Sequence, residues 1–313
     1  MPPLRVIFAG SGEFGLPTLD ALRSLGHELV LVVSQPDRPA GRGKQLTPTP
    51  VAHRAADSSL PLLRTDDINC EELPDADVMI VIAFGQKISD ATVNRPRLGS
   101  INLHASRLPR YRGAAPINWA ILRGETVTGN SVIRLAQRMD AGAVLGQSEL
   151  PIGELETAGE LHDRLAADGA SIVPRVLEEL ADGRANEIEQ DESLATAAPK
   201  LSRNDAVLDW TRPADELARR IRGLYPWPGC RVKLCDAAGD ELGRIRLVRA
   251  RISDETEGSR WSPGEIMTTG LVQTGGGSLE VVECQPEGKR PMPLADYRRG
   301  HRWHAGLRLA SIA

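Results

Sequence analysis

Two residues near the middle of the sequence, Asn102 and His104, have the types and the spacing of a site for chemistry at a carbonyl group. Side chains of a β-strand alternate between its two faces, so an amide and an imidazole two residues apart project on the same face. Both groups can donate hydrogen bonds to the oxyanion that develops when a carbonyl carbon is attacked. A structural polar pair is the alternative, and this short pattern alone leaves it open.

A carboxylate that could complete this pair is Asp140, in the segment Met139–Gly142, which follows the apolar run Val132–Leu135. At the end of a neighbouring strand, Asp140 would orient His104 and favour its charged form. An Asp that precedes a small residue and a Gly is also a common turn residue. The six histidines and four cysteines form no motif with metal-site spacing, so we predict no bound metal.

The segment Ser34–Pro50 is rich in proline and glycine and is longer than most connections within a domain. Its basic side chains are those of Arg38, Arg42 and Lys44. Cations on such a loop can contact the phosphates of a nucleic acid, which makes the segment a candidate RNA-binding loop. A solvated surface loop is the alternative.

The glycine-rich turn Gly10–Gly15 matches the G-x-G-x-x-G pattern of dinucleotide-binding sites and lies between a predicted strand and a predicted helix. An NAD site of this kind also needs an acidic residue at the end of the second strand. The second strand here ends in Val-Ser-Gln-Pro at residues 33–36, without an acid. The missing acid favours a tight structural turn over an NAD site, and both interpretations stay open at this point.

Alternating strand-like and helix-like segments in the first half of the chain would position these residues. The predicted strands share runs of Val, Ile and Leu and span Arg5–Ala9, Glu28–Ser34, Val78–Ala83 and Ser100–Leu103. Apolar residues at helical spacing predict helices at Pro17–Leu25 and Leu161–Leu180. This alternation indicates an α/β fold with a parallel-rich sheet that helices cover on both faces.

The character of the sequence changes near residue 190. We predict a catalytic domain at 1–189, a linker at 190–205 and a smaller domain at 206–313. In the smaller domain, short strand candidates separated by glycines at roughly ten-residue intervals predict a small antiparallel β-barrel. Residues 200–313 carry 19 Lys and Arg against 15 Asp and Glu, although the whole chain has a net charge of −4, so the second domain is the more basic one.

The composition excludes several classes of protein. Hydrophobic residues make up 41% of the 313 residues and charged residues 26%, which argues against a mainly disordered chain. No apolar run approaches the ~20 residues of a membrane-spanning helix, and no signal or transit peptide is visible. Scattered cysteines fit a reducing compartment. We therefore predict a protein of a reducing compartment with no membrane partner.

Four blocks of sequence together resemble the methionyl-tRNA formyltransferases. These blocks are Val6–Phe14, Gln35–Lys44, Asn102–Asn118 and Met139–Gly142, and the likeness continues through Ala198–Ser202 and Pro226–Pro228. The resemblance implies a Rossmann-like formyltransferase domain followed by a C-terminal β-barrel similar to an OB-fold. It also implies 10-formyltetrahydrofolate as co-substrate, in place of NAD. Because no transit peptide is visible, the resemblance places the protein in the bacterial cytoplasm, where we expect a monomer.

The resemblance also carries over residue by residue. The family's catalytic Asn–His–Asp trio falls on Asn102, His104 and Asp140. The family's folate-contacting Ser-Leu-Leu-Pro segment falls on Ser106, Arg107, Leu108 and Pro109, where Arg107 replaces the first leucine. The loop that contacts the tRNA acceptor stem falls on Ser34–Thr49, with Arg42 as the principal contact beside Arg38 and Lys44.

The activity implied is transfer of the formyl group to the α-amine of methionyl initiator tRNA. Asn102 and His104 would stabilise the oxyanion, and Asp140 would hold His104 and relay a proton. One alternative is a folate-dependent formyltransferase acting on a sugar nucleotide or another small amine, which would not need the basic loop. The others are an NAD-dependent oxidoreductase and a non-catalytic RNA-binding module, which the missing ribose acid and the intact trio respectively oppose.

Overall fold

The structure, a computed structural model, describes residues 3–41, 43–255 and 260–312, and only the backbone of Ala40. The chain divides into two compact units. The first consists of Met1–Ala114, Thr128–Leu150 and His162–Ala198, and the second of Ala115–Val127, Pro151–Leu161 and Pro199–Ala313. The domain boundaries predicted at residues 189 and 206 stay a prediction.

The first unit is built on a seven-stranded sheet. In chain order the strands are β1 (Arg5–Gly10), β2 (Glu28–Ser34), β3 (Leu62–Arg64), β4 (Val78–Ile82), β5 (Ser100–His104), β6 (Ser131–Arg134) and β7 (Val144–Gln147). Their order across the sheet is β7-β6-β5-β4-β1-β2-β3. The five strands from β5 to β3 are parallel, whereas β6 is antiparallel to both β5 and β7. The predicted α/β fold with a parallel-rich sheet is confirmed.

The apolar runs in the sequence form the centre of this sheet. Every residue of β4 is buried, as expected for a parallel strand that is covered on both faces. Its neighbour β1 is buried from Val6 to Gly10. Since the carboxyl ends of parallel strands lie at one edge, the residues that follow β1, β2, β4 and β5 meet there, which is where open α/β sheets bind ligands.

The second unit contains an antiparallel sheet. Its strands are β8 (Arg231–Cys235), β9 (Glu241–Ser253), β10 (Val272–Gln273), β11 (Ser278–Pro286), β12 (Met292–Pro293) and β13 (Arg308–Ser311). Their order is β10-β11-β9-β8-β13, and β12 pairs with β11. The segment 264–266 joins the two edges: Gly264 N donates to Gln273 O over 2.9 Å, and Ile266 N donates to Leu307 O over 2.8 Å. These contacts close the sheet into the predicted small barrel.

Seven helices occur in the described residues: α1 (Leu16–Ser24), α2 (Pro50–Asp57), α3 (Asp90–Val93), α4 (Pro116–Leu122), α5 (Ala158–Ala181), α6 (Ala214–Gly223) and α7 (Leu294–Gly300). The two helices predicted in the first half of the chain are confirmed as α1 and α5, and α5 continues through Pro174. The pattern did not predict α2. The Thr49 side chain caps α2 by accepting a hydrogen bond from Ala52 N, and Pro50 follows directly, which is a favourable start for a helix.

Short elements complete the described structure. The 3-10 helices are Glu13–Gly15, Ile68–Cys70, Glu192–Leu194 and Arg203–Ala206. The short strands are Arg38–Ala40, Gln45–Thr47, Arg112–Gly113, Val127–Thr128, Leu150–Pro151 and Ala197–Ala198. Ala197–Ala198 pairs in parallel with Arg112–Gly113, so part of the segment predicted as a linker forms a strand of the first unit.

No helix in the described part of the chain combines the length and the apolar character that crossing a membrane requires.

Candidate active site

The Asn–His pair lies on β5, at the edge where the parallel strands end. Asn102 pairs with Val81 on β4 and with Ile133 on β6, and His104 pairs with Ser131 on β6. His104 is buried, whereas Asn102 is half-buried. The Asn102 amide makes no hydrogen bond with any group of the described residues. An amide in this position is available to a ligand.

The two ring nitrogens of His104 differ in their surroundings. Nε2 lies 2.8 Å from the carbonyl oxygen of Tyr111. Because a carbonyl oxygen can only accept, Nε2 carries the hydrogen. Nδ1 faces the carboxylate of Asp140, with Oδ2 at 3.6 Å, which is a charge-pair distance and too long for a hydrogen bond. Nδ1 is therefore the ring nitrogen that can still exchange a proton.

Asp140 lies in the turn between β6 and β7. Its backbone φ is 53°, in the left-handed region that a non-glycine residue rarely adopts. The carboxylate is mostly buried, and Oδ2 accepts a hydrogen bond of 2.8 Å from Gly113 N. At Gly142, two residues later, a Cβ atom would lie 1.9 Å from the carbonyl oxygen of Arg134, so only glycine fits. The turn thus aims the carboxylate at His104.

The backbone that surrounds His104 is held by a later part of the chain. Tyr111 N donates to Thr196 Oγ1 over 2.8 Å, and Arg112 N donates to Thr196 O over 2.8 Å. Tyr111 provides the carbonyl that accepts from His104, and Gly113 provides the N–H that binds Asp140. The site therefore depends on residues near 196 as well as on the predicted trio.

Gln190 and Arg112 connect the two sides of the site. The Gln190 amide donates to the carbonyl oxygens of Asp140 and Gly142, both over 2.8 Å. Its oxygen accepts from Arg112 Nε and Nη2, at 3.0 and 2.7 Å. Arg112 also forms a two-point ion pair with Glu192. Hydrogen bonds from Arg112 and then from Arg138 lower the pKa of the Glu192 carboxyl to about 2.

Sequence reasoning missed Tyr111, Gly113, Gln190 and Thr196. Tyr111 and Gly113 act through backbone atoms, which leave no signature in residue types. Gln190 and Thr196 fall in the segment predicted as a linker. Residues 189–192 are Glu-Gln-Asp-Glu, a polar run that is also typical of a linker, so the residue types gave no signal for Gln190.

The predicted folate segment divides into buried and exposed positions. Ser106 is fully buried, and its Oγ donates to the carbonyl oxygen of Arg110 over 2.6 Å. Leu108 is buried beside Ile133 and Val144. The side chains of Ser106 and Leu108 are therefore used within the protein.

Arg107 and Pro109 are more accessible than Ser106 and Leu108. Arg107 is exposed and forms a surface ion pair of 2.7 Å with Glu149. Pro109 is half-buried. Of the four predicted folate residues, these two present side chains that a ligand could contact.

The basic loop forms a two-stranded hairpin, here called the basic hairpin, in which Arg38–Ala40 pairs with Gln45–Thr47. Arg38 and Lys44 are exposed, and neither has an ion-pair partner among the described residues. The acid of this loop, Asp37, pairs with Arg64 at 3.0 Å and so does not neutralise them. Arg42, the third predicted cation, lies outside the described residues.

Close packing accounts for the glycines of the first turn. A Cβ atom at Gly10 would lie 2.9 Å from both the carbonyl oxygen of Ile82 and the ring of Phe8, and one at Gly15 would lie 3.1 Å from the same ring.

Among the described residues, no three His, Cys, Asp or Glu side chains are grouped in a way that could hold a metal ion.

Comparison with known proteins gives the family. Residues 4–177 match the formyl transferase model, and residues 200–302 match the model of the formyl transferase C-terminal domain. The methionyl-tRNA formyltransferase of Moorella thermoacetica is 40% identical over 95% of this chain and 96% of its own length. That of Geobacter sulfurreducens is 39% identical over 99% of this chain and 98% of its own.

Among solved structures, the fold is similar to that of WlaRD, a sugar 3N-formyl transferase crystallised in the presence of dTDP and 5-N-formyl-THF. The TM-score is 0.64 at 16% identity, over 92% of this chain and 99% of WlaRD. The solved structure shows a shared fold. The two relatives with 39–40% identity over nearly the whole chain show which formyltransferases this chain groups with. The chain belongs to the formyl transferase family and, within it, to the methionyl-tRNA formyltransferases.

Proposed function

We propose that this chain transfers the formyl group of 10-formyltetrahydrofolate to the α-amino group of methionyl initiator tRNA. Its membership of the methionyl-tRNA formyltransferases supports the acceptor. The geometry supports the reaction class. The observation that carries the proposal is the available amide of Asn102, two residues before His104 on the same strand, together with the Asp140 carboxylate that faces the His104 ring.

Asn102 is the donor for the oxyanion. Attack of the amine nitrogen on the formyl carbon makes a tetrahedral centre with a negatively charged oxygen. The side-chain N–H of Asn102 has no other partner in the described residues, so it can bind that oxygen without breaking an existing hydrogen bond. Such donors stabilise the transition state more than the substrate, which is the condition for catalysis.

His104 moves the proton, and Asp140 supports it. The amine must be neutral to attack, and an α-amino group has a pKa of roughly 7.7–8.0, so a useful fraction is neutral near pH 7. As the new C–N bond forms, Nδ1 of His104 accepts the amine proton. The bond between the formyl carbon and N10 then breaks, and the same proton passes to N10. The nearby carboxylate of Asp140 stabilises the charged ring between these steps.

Binding of the two substrates is assigned to separate surfaces. Arg107 and Pro109 contact the folate, together with the backbone of Ser106 and Leu108. Arg38, Arg42 and Lys44, the three cations predicted from the sequence, contact the phosphates at the acceptor end of the tRNA. The basic second domain, predicted at 206–313, binds the outer part of the stem. Phosphate contacts of this kind make affinity fall steeply with salt.

A comparison of two acceptors, assayed separately, tests the function. Purified protein is given 10-formyltetrahydrofolate and either methionyl initiator tRNA or an amino sugar nucleotide, and formylated product is measured. We expect kcat/KM for the tRNA to exceed that for the sugar by more than about 100-fold, since the sugar nucleotide offers few phosphates. Equal or greater activity with the sugar would overturn the proposal. His104→Ala serves as the inactive control.

A further inference from the structure

Segment 190–198, which the sequence presents as part of a linker, contacts both groups that flank His104. Thr196 binds the backbone on either side of the Tyr111 carbonyl, which accepts from His104 Nε2. Gln190 binds the turn that carries Asp140, which faces Nδ1. One stretch of chain thus fixes the two partners of a single imidazole.

The hydrogen bonds of Gln190 are complete. Its two N–H groups go to Asp140 O and Gly142 O, and its oxygen accepts two N–H groups from Arg112. An amide side chain offers two donors and two lone pairs, so none is left for a ligand. Gln190 is half-buried, and its amide is fully occupied by three other residues of the first unit. Gln190 is built to hold its neighbours.

The turn that Gln190 holds is one that would otherwise relax. Asp140 has a φ of 53°, and such a conformation persists only when its surroundings impose it. The two hydrogen bonds from Gln190 reach the carbonyls of Asp140 and Gly142, on either side of Ala141, and so fix the backbone that directly follows the Asp140 Cα. Their loss would free the carboxylate to move away from Nδ1.

We propose that Gln190 is a positioning residue for the formyl-transfer reaction: its amide locks the Asp140–Gly142 turn, so that the Asp140 carboxylate stays against His104. This inference rests on the proposed function for its kinetic consequence. Its geometric consequence, the placement of Asp140 and His104, can be measured without any turnover.

Two variants separate the donors of Gln190 from its acceptor. Gln190→Leu keeps most of the volume and removes both. Gln190→Glu keeps an oxygen for Arg112 but cannot donate to the carbonyls of Asp140 and Gly142. The matched control is Gln137→Leu, which removes an exposed amide three residues before Asp140 that binds Asp90 instead.

We expect kcat to fall about 10-fold in Gln190→Leu and in Gln190→Glu, with KM for folate and for tRNA within about 2-fold, because displacement of a catalytic group affects the transition state more than binding. Gln137→Leu should match the wild type. Rates are measured well below the melting temperature of each variant, so that a loss of stability alone does not lower kcat.

The geometric test uses ¹⁵N NMR of the His104 ring and of the Gly113 amide, which binds the Asp140 carboxylate. Both Gln190 variants should shift these signals, and Gln137→Leu should leave them unchanged. Wild-type kcat and wild-type signals in Gln190→Leu would overturn the inference. Recovery of kcat in Gln190→Glu would also overturn it, because the contact to Arg112 would then be the important one. Failure of the wild type to formylate tRNA would instead count against the proposed function and leave the NMR result to stand.

Discussion

The candidate active site and the basic hairpin use polar side chains in opposite ways. Around His104 the polar groups are largely buried and satisfied within the protein, through Tyr111, Gly113 and Gln190, and the Asn102 amide is the exception. On the basic hairpin, Arg38 and Lys44 are exposed and have no ion-pair partner among the described residues.

The difference reflects what each region must do. Proton transfer depends on distances of about 3 Å, so the groups that perform it are held by several hydrogen bonds each. Binding of phosphates depends on charge over a longer range and tolerates movement, so exposed cations on a short hairpin are sufficient. Substitutions at the active site should therefore change kcat, and substitutions on the hairpin should change KM and its salt dependence.

The largest effect is expected at Asn102, whose amide has no hydrogen-bond partner among the described residues. Asn102→Ala removes the proposed oxyanion donor and should lower kcat by about 10²–10³, with little change in KM for either substrate. Steady-state kinetics with varied folate and varied tRNA measure this. Circular dichroism and the melting temperature show whether the variant is folded. A loss of less than 10-fold would remove Asn102 from the mechanism.

A smaller effect, on KM and not on kcat, is expected for substitutions on the basic hairpin. The double variant Arg38→Ala/Lys44→Ala should raise KM for tRNA about 10-fold at moderate salt and leave kcat and the folate KM unchanged. The slope of log affinity against log salt should become shallower by about one unit for each cation that is removed.

Arg95→Ala is the matched control for the hairpin, because Arg95 is an exposed arginine outside it. This variant should keep the wild-type tRNA KM and salt slope. An unchanged salt slope in the double variant would show that the hairpin does not contact phosphates. Equal changes in the double variant and in Arg95→Ala would point to a general effect of net charge.

The smallest effect concerns the contribution of the Glu192 ion pairs to protein stability at acid pH. The pKa of Glu192 is lowered to about 2 by Arg112 and Arg138. Because the folded-state pKa lies below the unfolded value near 4.5, this carboxylate stabilises the fold above about pH 4.5, and the stabilisation is lost as the pH falls toward 2. Glu192→Gln should therefore lower the melting temperature at pH 6 by a few degrees at most, since the Glu192 side chain is 53% exposed and solvent screens its charge.

Melting curves between pH 6 and pH 2 check this prediction. The difference between the wild type and Glu192→Gln should shrink through the window from pH 4.5 to pH 2 and stay constant above it. A difference that grows as the pH falls would have the wrong sign and would exclude the assigned role of the ion pair.

Much of the fold followed from local patterns. The apolar runs predicted strands β1, β2, β4 and β5, and the helical spacing of leucines predicted α1 and α5. Strand β13 was not predicted, because Arg308–Ser311 is four residues long and has no clear alternation. Helix α4 was not predicted, since Pro116 at its start also suits the irregular loop that was expected there.

The chemical groups of the site were visible in the sequence, because residue types determine which atoms can donate, accept or carry charge. An amide and an imidazole on one strand, and a carboxylate after another, were sufficient to suggest oxyanion and proton chemistry. Only the tertiary structure decided which nitrogen of His104 is left for the proton, since the Tyr111 carbonyl that occupies Nε2 is a backbone atom. It also decided that residues 190–198 belong to the site, because hydrogen bonds between distant segments depend on how the chain folds back on itself and not on any periodicity within it.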